Sequence, residues 1–97
     1  MITTDHGYFG NTTGAIDLSA YKFNKPGGVG QPDWLELVEI PDDYRGKYKR
    51  GDPRCGEKFA SQIGQAVESL KSKNQKLCAF IAETFPSVGG QIITPQG

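Results

Sequence analysis

The sequence predicts a partial, loop-rich α/β domain: a βαβ unit whose two parallel strands are joined by one helix. Apolar residues form two strand-like runs, at 34–40 and at 77–82. Between them, the range 56–73 carries apolar residues at helical spacing. Because a strand, a helix and a strand in this order form a right-handed crossover in nearly all proteins, the two strands are predicted to be parallel.

The run at 77–82, LCAFIA, is continuously apolar and is bounded by polar residues and turn formers. Continuous hydrophobicity is typical of a parallel strand that is covered on both faces. Cys78 is therefore expected to be buried, whereas Cys55 is expected in an exposed loop before the helix. The two cysteines have neither metal-site spacing nor a disulfide framework, so no metal ligand is predicted.

Glu83 directly follows this strand and precedes a turn rich in proline and glycine at 86–90. In open α/β sheets, ligands bind at the carboxyl ends of the strands. Glu83 is therefore a candidate site residue. The alternative, a solvated or capping carboxylate at a strand end, stays open on this observation alone.

The helix at 56–73 is predicted from a single apolar stripe. Its members lie four, four and three positions apart: Phe59, Ile63, Val67 and Leu70. Glu57 near the start and Lys71 near the end complement the helix dipole. Asn74 is predicted to end the helix.

Loops dominate the first third of the chain. The range 1–8 begins with β-branched residues and predicts a short strand. Tyr8 and Phe9 follow between two glycines; such aromatic residues either stack on a planar partner or fold back on the core. One helical turn is predicted around 17–21, before a loop of glycine and proline at 24–32.

Charge and hydropathy exclude several classes of partner. Eleven basic and eleven acidic side chains cancel, which leaves no electrostatic footprint for nucleic acid or for an anionic membrane. No apolar run is long enough to cross a bilayer and no signal peptide is recognisable, so a cytoplasmic location is expected. A phosphate-binding module built on Gly27-Gly28 or Gly89-Gly90 is a further alternative, although neither pair has the P-loop or dinucleotide pattern.

Three segments in order carry a family resemblance: DHGYFGNT at 5–12, WLELVEIPDDYRG at 34–46 and AFIAETFPSVGGQIITPQG at 79–97. Together they resemble the central part of the large domain of class III aminotransferases, the fold-type I enzymes that use pyridoxal 5′-phosphate. The segments at 16–23 and 87–92 resemble most the branch of phospho-lyases that act on ethanolamine phosphate or phosphohydroxylysine. Many aminotransferases of this class carry a glutamate where Val88 stands here, which favours the lyase-like branch.

The resemblance implies roles for individual residues. Tyr8 matches the aromatic residue that stacks on the cofactor ring, and Phe9 stands where the family lines the substrate side. Glu83 matches a glutamate near the cofactor ring, and the resemblance thus implies Tyr8, Phe9 and Glu83 as candidate cofactor-binding residues. Lys22 and Arg45 are substrate-binding candidates for a phosphoryl group on charge alone.

The resemblance also implies what these residues lack. The family's phosphate-binding segment would precede Met1, and its Schiff-base lysine would follow Gly97, so no catalytic residue is predicted here. The chain is expected to be one partial domain, 1–97, that is inactive and binds no cofactor alone. A small-molecule amine substrate and a homo-oligomer are expected for the full-length family. The alternative is a non-catalytic α/β protein that self-associates through exposed strand edges.

Overall fold

The computed structural model describes residues 1–97 and contains one parallel sheet and three helices. The strands are β1 (Ile2–Thr4), β2 (Glu36–Val38) and β3 (Phe80–Ile81), and the helices are α1 (Thr13–Leu18), α2 (Ala20–Phe23) and α3 (Cys55–Ser72). The predicted α/β class with parallel strands is therefore confirmed. Both later strands are shorter than the predicted runs at 34–40 and 77–82.

β1 is the central strand of the sheet. Thr3 lies opposite Leu37 of β2 on one side and opposite Ile81 of β3 on the other. Ile2 and Thr3 are fully buried, and their β-branched side chains suit a strand that is covered on both faces. The two strands predicted to form the βαβ unit are thus parallel but are not neighbours, because β1 lies between them.

β3 is an edge strand, and the prediction that 77–82 is buried on both faces is wrong. Leu77 is 42% exposed and Phe80 is 44% exposed. Cys78, expected in the core, is exposed as well. The reason is that α3 packs mainly on β2, the opposite edge strand, and leaves the side chains of β3 largely exposed.

Cys55 also differs from its prediction as an exposed loop residue. It is the first residue of α3 and is buried. Burial raises the pKa of the Cys55 thiol, because the low-polarity surroundings disfavour the thiolate. Cys55 is therefore buried and Cys78 exposed, the reverse of what the sequence predicts.

α3 agrees with its predicted bounds to within one residue at each end. In the predicted stripe, Phe59 and Leu70 are buried, and the remaining members pack partly buried against the core. Asn74 adopts a left-handed backbone conformation with φ of 57° just after the helix, which is the conformation that ends many helices. Neither α3 nor a shorter helix is long and apolar enough to span a bilayer.

Two small apolar clusters lie on opposite faces of the sheet, since neighbouring residues of a strand point to opposite faces. Val38 joins the cluster beneath α3, together with Ile2, Ala66 and Leu70. Leu37 packs against the cluster on the side of α2, which contains Ala20, Phe23 and Leu35. The sheet therefore lies between α3 and the α1–α2 segment.

The helical turn predicted around 17–21 is replaced by two short helices. They are separated by Ser19, whose backbone is extended with φ of −92° and ψ of 96°. The Ser19 hydroxyl donates to the Ala15 carbonyl at 2.6 Å and accepts a hydrogen bond from the Phe9 amide at 2.8 Å. Ser19 is fully buried, and it thereby ties the two helices to the loop that follows β1.

Candidate functional site

The carboxyl ends of the three strands lie at one edge of the sheet, because all the strands are parallel. The loop that follows β1 there is named the aromatic loop (residues 5–10), and the turn that follows β3 is named the glycine turn (residues 86–91). Tyr8 lies in the aromatic loop, and Glu83 precedes the glycine turn. The candidate residues at this edge thus come from two different connections.

Tyr8 and Glu83 are in direct contact. Glu83 Oε1 accepts a hydrogen bond from the Tyr8 backbone amide at 3.0 Å. Glu83 Oε2 accepts a second, longer bond from the Ser87 amide at 3.2 Å. The carboxylate therefore joins the aromatic loop to the glycine turn, and its bond to Tyr8 spans 75 positions of the chain.

The Tyr8 ring is half-buried and has two neighbours from α2. Tyr21 meets it edge to face, with ring centroids 6.0 Å apart and an interplanar angle of 86°. The Lys22 ammonium lies over the ring, 5.4 Å from its centroid, at cation–π distance. Lys22, a predicted substrate-binding residue, is thus brought beside the predicted cofactor-stacking residue.

The aromatic loop is fixed by backbone hydrogen bonds and by a buried hydroxyl. The Gly7 amide donates to the Thr4 carbonyl at 3.2 Å, and the Tyr21 amide donates to the Gly7 carbonyl at 3.3 Å. Phe9 is half-buried, and its amide donates to Ser19. Ser19 is not among the residues predicted from the sequence; its one signal there is a hydroxyl residue among apolar residues in the segment that follows the loop.

Gly89 allows the glycine turn to pack closely against its neighbours. A Cβ atom at this position would lie 2.8 Å from Ile40 Cδ1 and 3.3 Å from the His6 carbonyl oxygen. Gly90 and Gln91 both have left-handed backbones, with φ of 125° and 56°. The turn therefore lies against the aromatic loop and against the segment after β2, as its glycine content predicts.

Arg45 lies apart from Lys22. It borders an open cavity of about 510 Å³ that also includes His6, Asp43, Arg50 and Gly89, whereas Lys22 does not line this cavity. The two predicted phosphoryl-binding cations are therefore not brought together in one site.

Ion pairing distinguishes the two arginines of this cavity. Arg50 binds the buried Asp43 carboxylate through two hydrogen bonds of 2.9 Å, and this contact holds the Asp43 pKa below its usual range. Arg45 donates its backbone amide to Asp42 at 3.0 Å, and its guanidinium forms no ion pair. Arg45 is therefore the arginine of the cavity that is free to meet an anion.

Two curated proteins are similar to the chain over nearly its whole length. An alanine–glyoxylate aminotransferase 2-like protein of Drosophila melanogaster is 39% identical over 100 residues, an alignment that covers 100% of this chain and 20% of the relative. An ethanolamine-phosphate phospho-lyase homolog 1 of Caenorhabditis elegans is 31% identical over 104 residues, covering 98% of this chain and 22% of the relative. The chain is a relative of the class III aminotransferases. No protein-family model matches it.

These comparisons confirm the resemblance to the class III family and to the branch that includes phospho-lyases. The chain spans about a fifth of the length of the two relatives. The aromatic loop, β2 with its proline turn and the glycine turn, which carry the resemblance, meet at one edge of the sheet in the structure.

The class III cofactor, pyridoxal 5′-phosphate, has a planar ring, an anionic phosphate and an aldehyde, and each of these groups needs a different kind of partner in the protein. The half-buried Tyr8 ring suits the planar ring, because an aromatic face stacks on a heterocycle. The ammonium of Lys22 beside that ring suits an anionic group. The lysines here lie outside the segments 5–12, 34–46 and 79–97, so the residues present fit the ring and an anionic group but supply no family-matched amine for the aldehyde.

Proposed function

We propose that the chain is a segment of a PLP-dependent aminotransferase or phospho-lyase that acts on an amine or amino-acid substrate. The observation that carries the proposal is the hydrogen bond from the Tyr8 amide to Glu83, which unites two family-matched residues at the carboxyl edge of the sheet. The chain supplies recognition of the cofactor ring, and the reactive groups come from outside it. The chain alone is expected to be inactive.

In this proposal, Tyr8 presents a ring face on which the cofactor ring stacks. When bound, the cofactor supplies the electron sink for chemistry at the substrate amine. Tyr21 packs against the Tyr8 ring in a T-shaped arrangement and limits its tilt. Phe9 follows directly in the aromatic loop and lines the substrate side, where its apolar ring excludes water.

We further propose that a phosphoryl group is held by Arg45 or by Lys22, and not by both together. Arg45 is exposed and makes no ion pair, so its guanidinium is available for a bidentate contact with a phosphate. Lys22 lies over the Tyr8 ring, on which the cofactor ring is proposed to stack. Val88 at the glycine turn supplies no carboxylate, which favours phosphate elimination over transamination with a 2-oxo acid.

The test is a chimera in which this chain replaces the matching segment of the Drosophila relative. The expected result is a folded chimera that retains bound cofactor, detected by its visible absorbance and circular dichroism. Replacement Tyr8→Leu in the chimera is expected to weaken cofactor retention by about tenfold, the loss expected for an aromatic stacking contact. Tyr44→Leu is the matched control, because Tyr44 is 76% exposed. A folded chimera without cofactor would contradict the proposal.

Two assays of the same chimera separate the reaction classes. Phosphate release from ethanolamine phosphate reports elimination, and glycine formation from alanine and glyoxylate reports transamination. Elimination is expected to exceed transamination, and Val88→Glu is expected to reduce this preference.

In the isolated chain, we expect no saturable PLP binding and no single lysine labelled after borohydride reduction. A single labelled lysine would show that the amine that forms the Schiff base lies within these residues.

The second candidate is self-association through β3. The specific observation is an unpaired strand edge beside the exposed side chains of Leu77 and Phe80. Sedimentation of the isolated chain tests it: Phe80→Lys would convert a dimer to a monomer, whereas Tyr44→Lys would not. A monomeric parent chain would exclude this function. For either candidate we propose a cytoplasmic setting, in which the exposed Cys78 thiol stays reduced.

A further inference from the structure

We propose that Glu83 is a positioning residue that sets the orientation of the Tyr8 ring through the Tyr8 backbone amide. This inference rests on the proposed role of Tyr8 as the platform for the cofactor ring. In this proposal, Glu83 fixes the aromatic loop and the glycine turn relative to each other and does not contact the cofactor. The carboxylate holds the two connections at a fixed separation.

Both oxygens of the Glu83 carboxylate accept hydrogen bonds from backbone amides. Oε1 accepts from the Tyr8 amide at 3.0 Å and Oε2 accepts from the Ser87 amide at 3.2 Å. A carboxylate accepts hydrogen bonds at both oxygens and donates none, and its charge strengthens bonds from backbone amides. A glutamate is therefore suited to join two backbone donors, each on a different connection.

The backbone amide of Tyr8 is bound by Glu83, whereas the amides of its two neighbours are not. The amides of Gly7 and Phe9 donate to Thr4 and to Ser19, within the first part of the chain. The Tyr8 amide donates to Glu83, which follows β3. Loss of the Glu83 bond would therefore release the backbone at Tyr8 and leave the flanking hydrogen bonds in place.

The position of the Tyr8 ring depends on the backbone of the aromatic loop. The Tyr8 ring meets Tyr21 at 86° and lies beneath Lys22 at 5.4 Å, so a rotation of the Tyr8 backbone moves the ring relative to both side chains. At Gly89 the glycine turn packs against the aromatic loop: a Cβ atom placed at Gly89 would lie 3.3 Å from the His6 carbonyl oxygen. The aromatic loop and the glycine turn thus touch at Gly89 and are joined at Glu83.

The substitution Glu83→Gln tests the hydrogen bonds of Glu83 while the size of the side chain stays the same. Glutamine has the size of glutamate but only one acceptor oxygen, and its amide nitrogen would face an amide donor. Glu83→Gln is therefore expected to lose one of the two bonds and to weaken the other. Glu83→Asp retains both oxygens on a side chain that is shorter by one methylene, and it is expected to restore at least one bond.

The experiment measures backbone amide exchange and ring contacts by NMR in the full 97-residue chain. In Glu83→Gln, we expect exchange to accelerate at both Tyr8 and Ser87, by about tenfold at the amide that loses its charge-assisted hydrogen bond. The nuclear Overhauser contacts between the Tyr8 and Tyr21 rings should weaken at the same time. Glu68→Gln is the control, since Glu68 is an exposed residue of α3 paired with Lys71. Unchanged exchange and unchanged ring contacts in Glu83→Gln would overturn the inference.

A second measurement distinguishes this inference from the proposed function. In the chimera, Glu83→Gln is expected to alter the visible circular dichroism of the bound cofactor, and Glu83→Asp is expected to restore part of the signal. If Tyr8→Leu alters the signal and Glu83→Gln does not, Tyr8 is the platform and the positioning role of Glu83 is wrong. If Tyr8→Leu leaves the signal unchanged, the proposed function fails; the exchange experiment then decides the action of Glu83 on Tyr8.

Discussion

β2 and β3 are the two edge strands and pair in parallel with the same central strand, but β2 lies beneath α3 whereas β3 is largely exposed. Val38 of β2 is 7% exposed, whereas Phe80 of β3 is 44% exposed. Polar contacts add to the packing of β2: Glu36 accepts hydrogen bonds from Ser69 at 3.0 Å and from Lys73 at 2.5 Å. The β2 side of the fold therefore combines burial with ion pairing.

β3 is held chiefly by hydrogen bonds. The Ile2 amide donates to the Ala79 carbonyl at 3.0 Å, and the Thr3 hydroxyl donates to the Ile81 carbonyl at 2.7 Å. Glu83 then binds the aromatic loop. The comparison shows that an apolar sequence run is buried only where another element covers it, and that the β3 side relies on polar bonds at the proposed site.

The largest expected effect comes from the same substitution made on the two sides. Leu70 is 1% exposed and lies in the cluster beneath α3, whereas Leu77 is 42% exposed before β3. Leu70→Ala is expected to lower the free energy of unfolding by about 2–5 kcal/mol. Leu77→Ala is expected to lower it by less than about 1 kcal/mol. Urea unfolding followed by circular dichroism measures both, and equal losses would contradict the difference between the two sides.

A smaller effect tests the contact between the last residues and α3. A Cβ atom at Gly56 would lie 2.5 Å from the Gln96 carbonyl oxygen, whereas one at Gly64 would meet nothing within 4 Å. Gly56→Ala is expected to displace residues 94–97 and to lower the free energy of unfolding by about 1–3 kcal/mol. Gly64→Ala is expected to raise it by about 0.5–1 kcal/mol, because alanine favours an exposed helix.

Thermal and urea unfolding of the two glycine variants give the stability change, and amide exchange reports the displacement. A stabilising Gly56→Ala substitution would mean that the last residues do not pack on the start of α3.

The smallest effect is the pH dependence of the Glu36 ion pair. The hydrogen bond from Lys73 lowers the pKa of Glu36, so the folded state favours the ionised carboxylate. The contribution of this ion pair to the free energy of unfolding is present above the ordinary glutamate pKa, and it is lost as the pH falls through the lowered pKa of the folded state. Glu36→Gln is expected to reduce the free energy of unfolding by about 0.5 kcal/mol at neutral pH, and by less in acid.

Urea midpoints measured from neutral to acidic pH check this expectation. Glu68→Gln is the control, because the Glu68 side chain is 71% exposed where it pairs with Lys71. A Glu36→Gln variant that follows the parent chain at every pH would show that the ion pair adds nothing to stability.

Local sequence patterns predict α3, its stripe and its end at Asn74, because helix periodicity and the left-handed tolerance of asparagine are local properties. They also place Tyr8 and Glu83 at the ends of two strands. The burial of Cys55 and the exposure of Cys78 are not predicted, because both depend on which elements pack over them. Ser19 was missed for the same reason: its two hydrogen-bond partners meet only when the aromatic loop folds against α1.

The sequence by itself determines the α/β class, the long helix, the family resemblance and the candidate residues, since these follow from periodicity, residue type and motif order. Only the tertiary structure decides that β1 lies between β2 and β3, and that Glu83 therefore reaches the Tyr8 amide. Strand order and this bond depend on contacts between residues far apart in the chain, which no local pattern specifies. The parallel direction of the strands is predicted from the sequence, and in the folded sheet it brings all their carboxyl ends, with the candidate residues, to one edge.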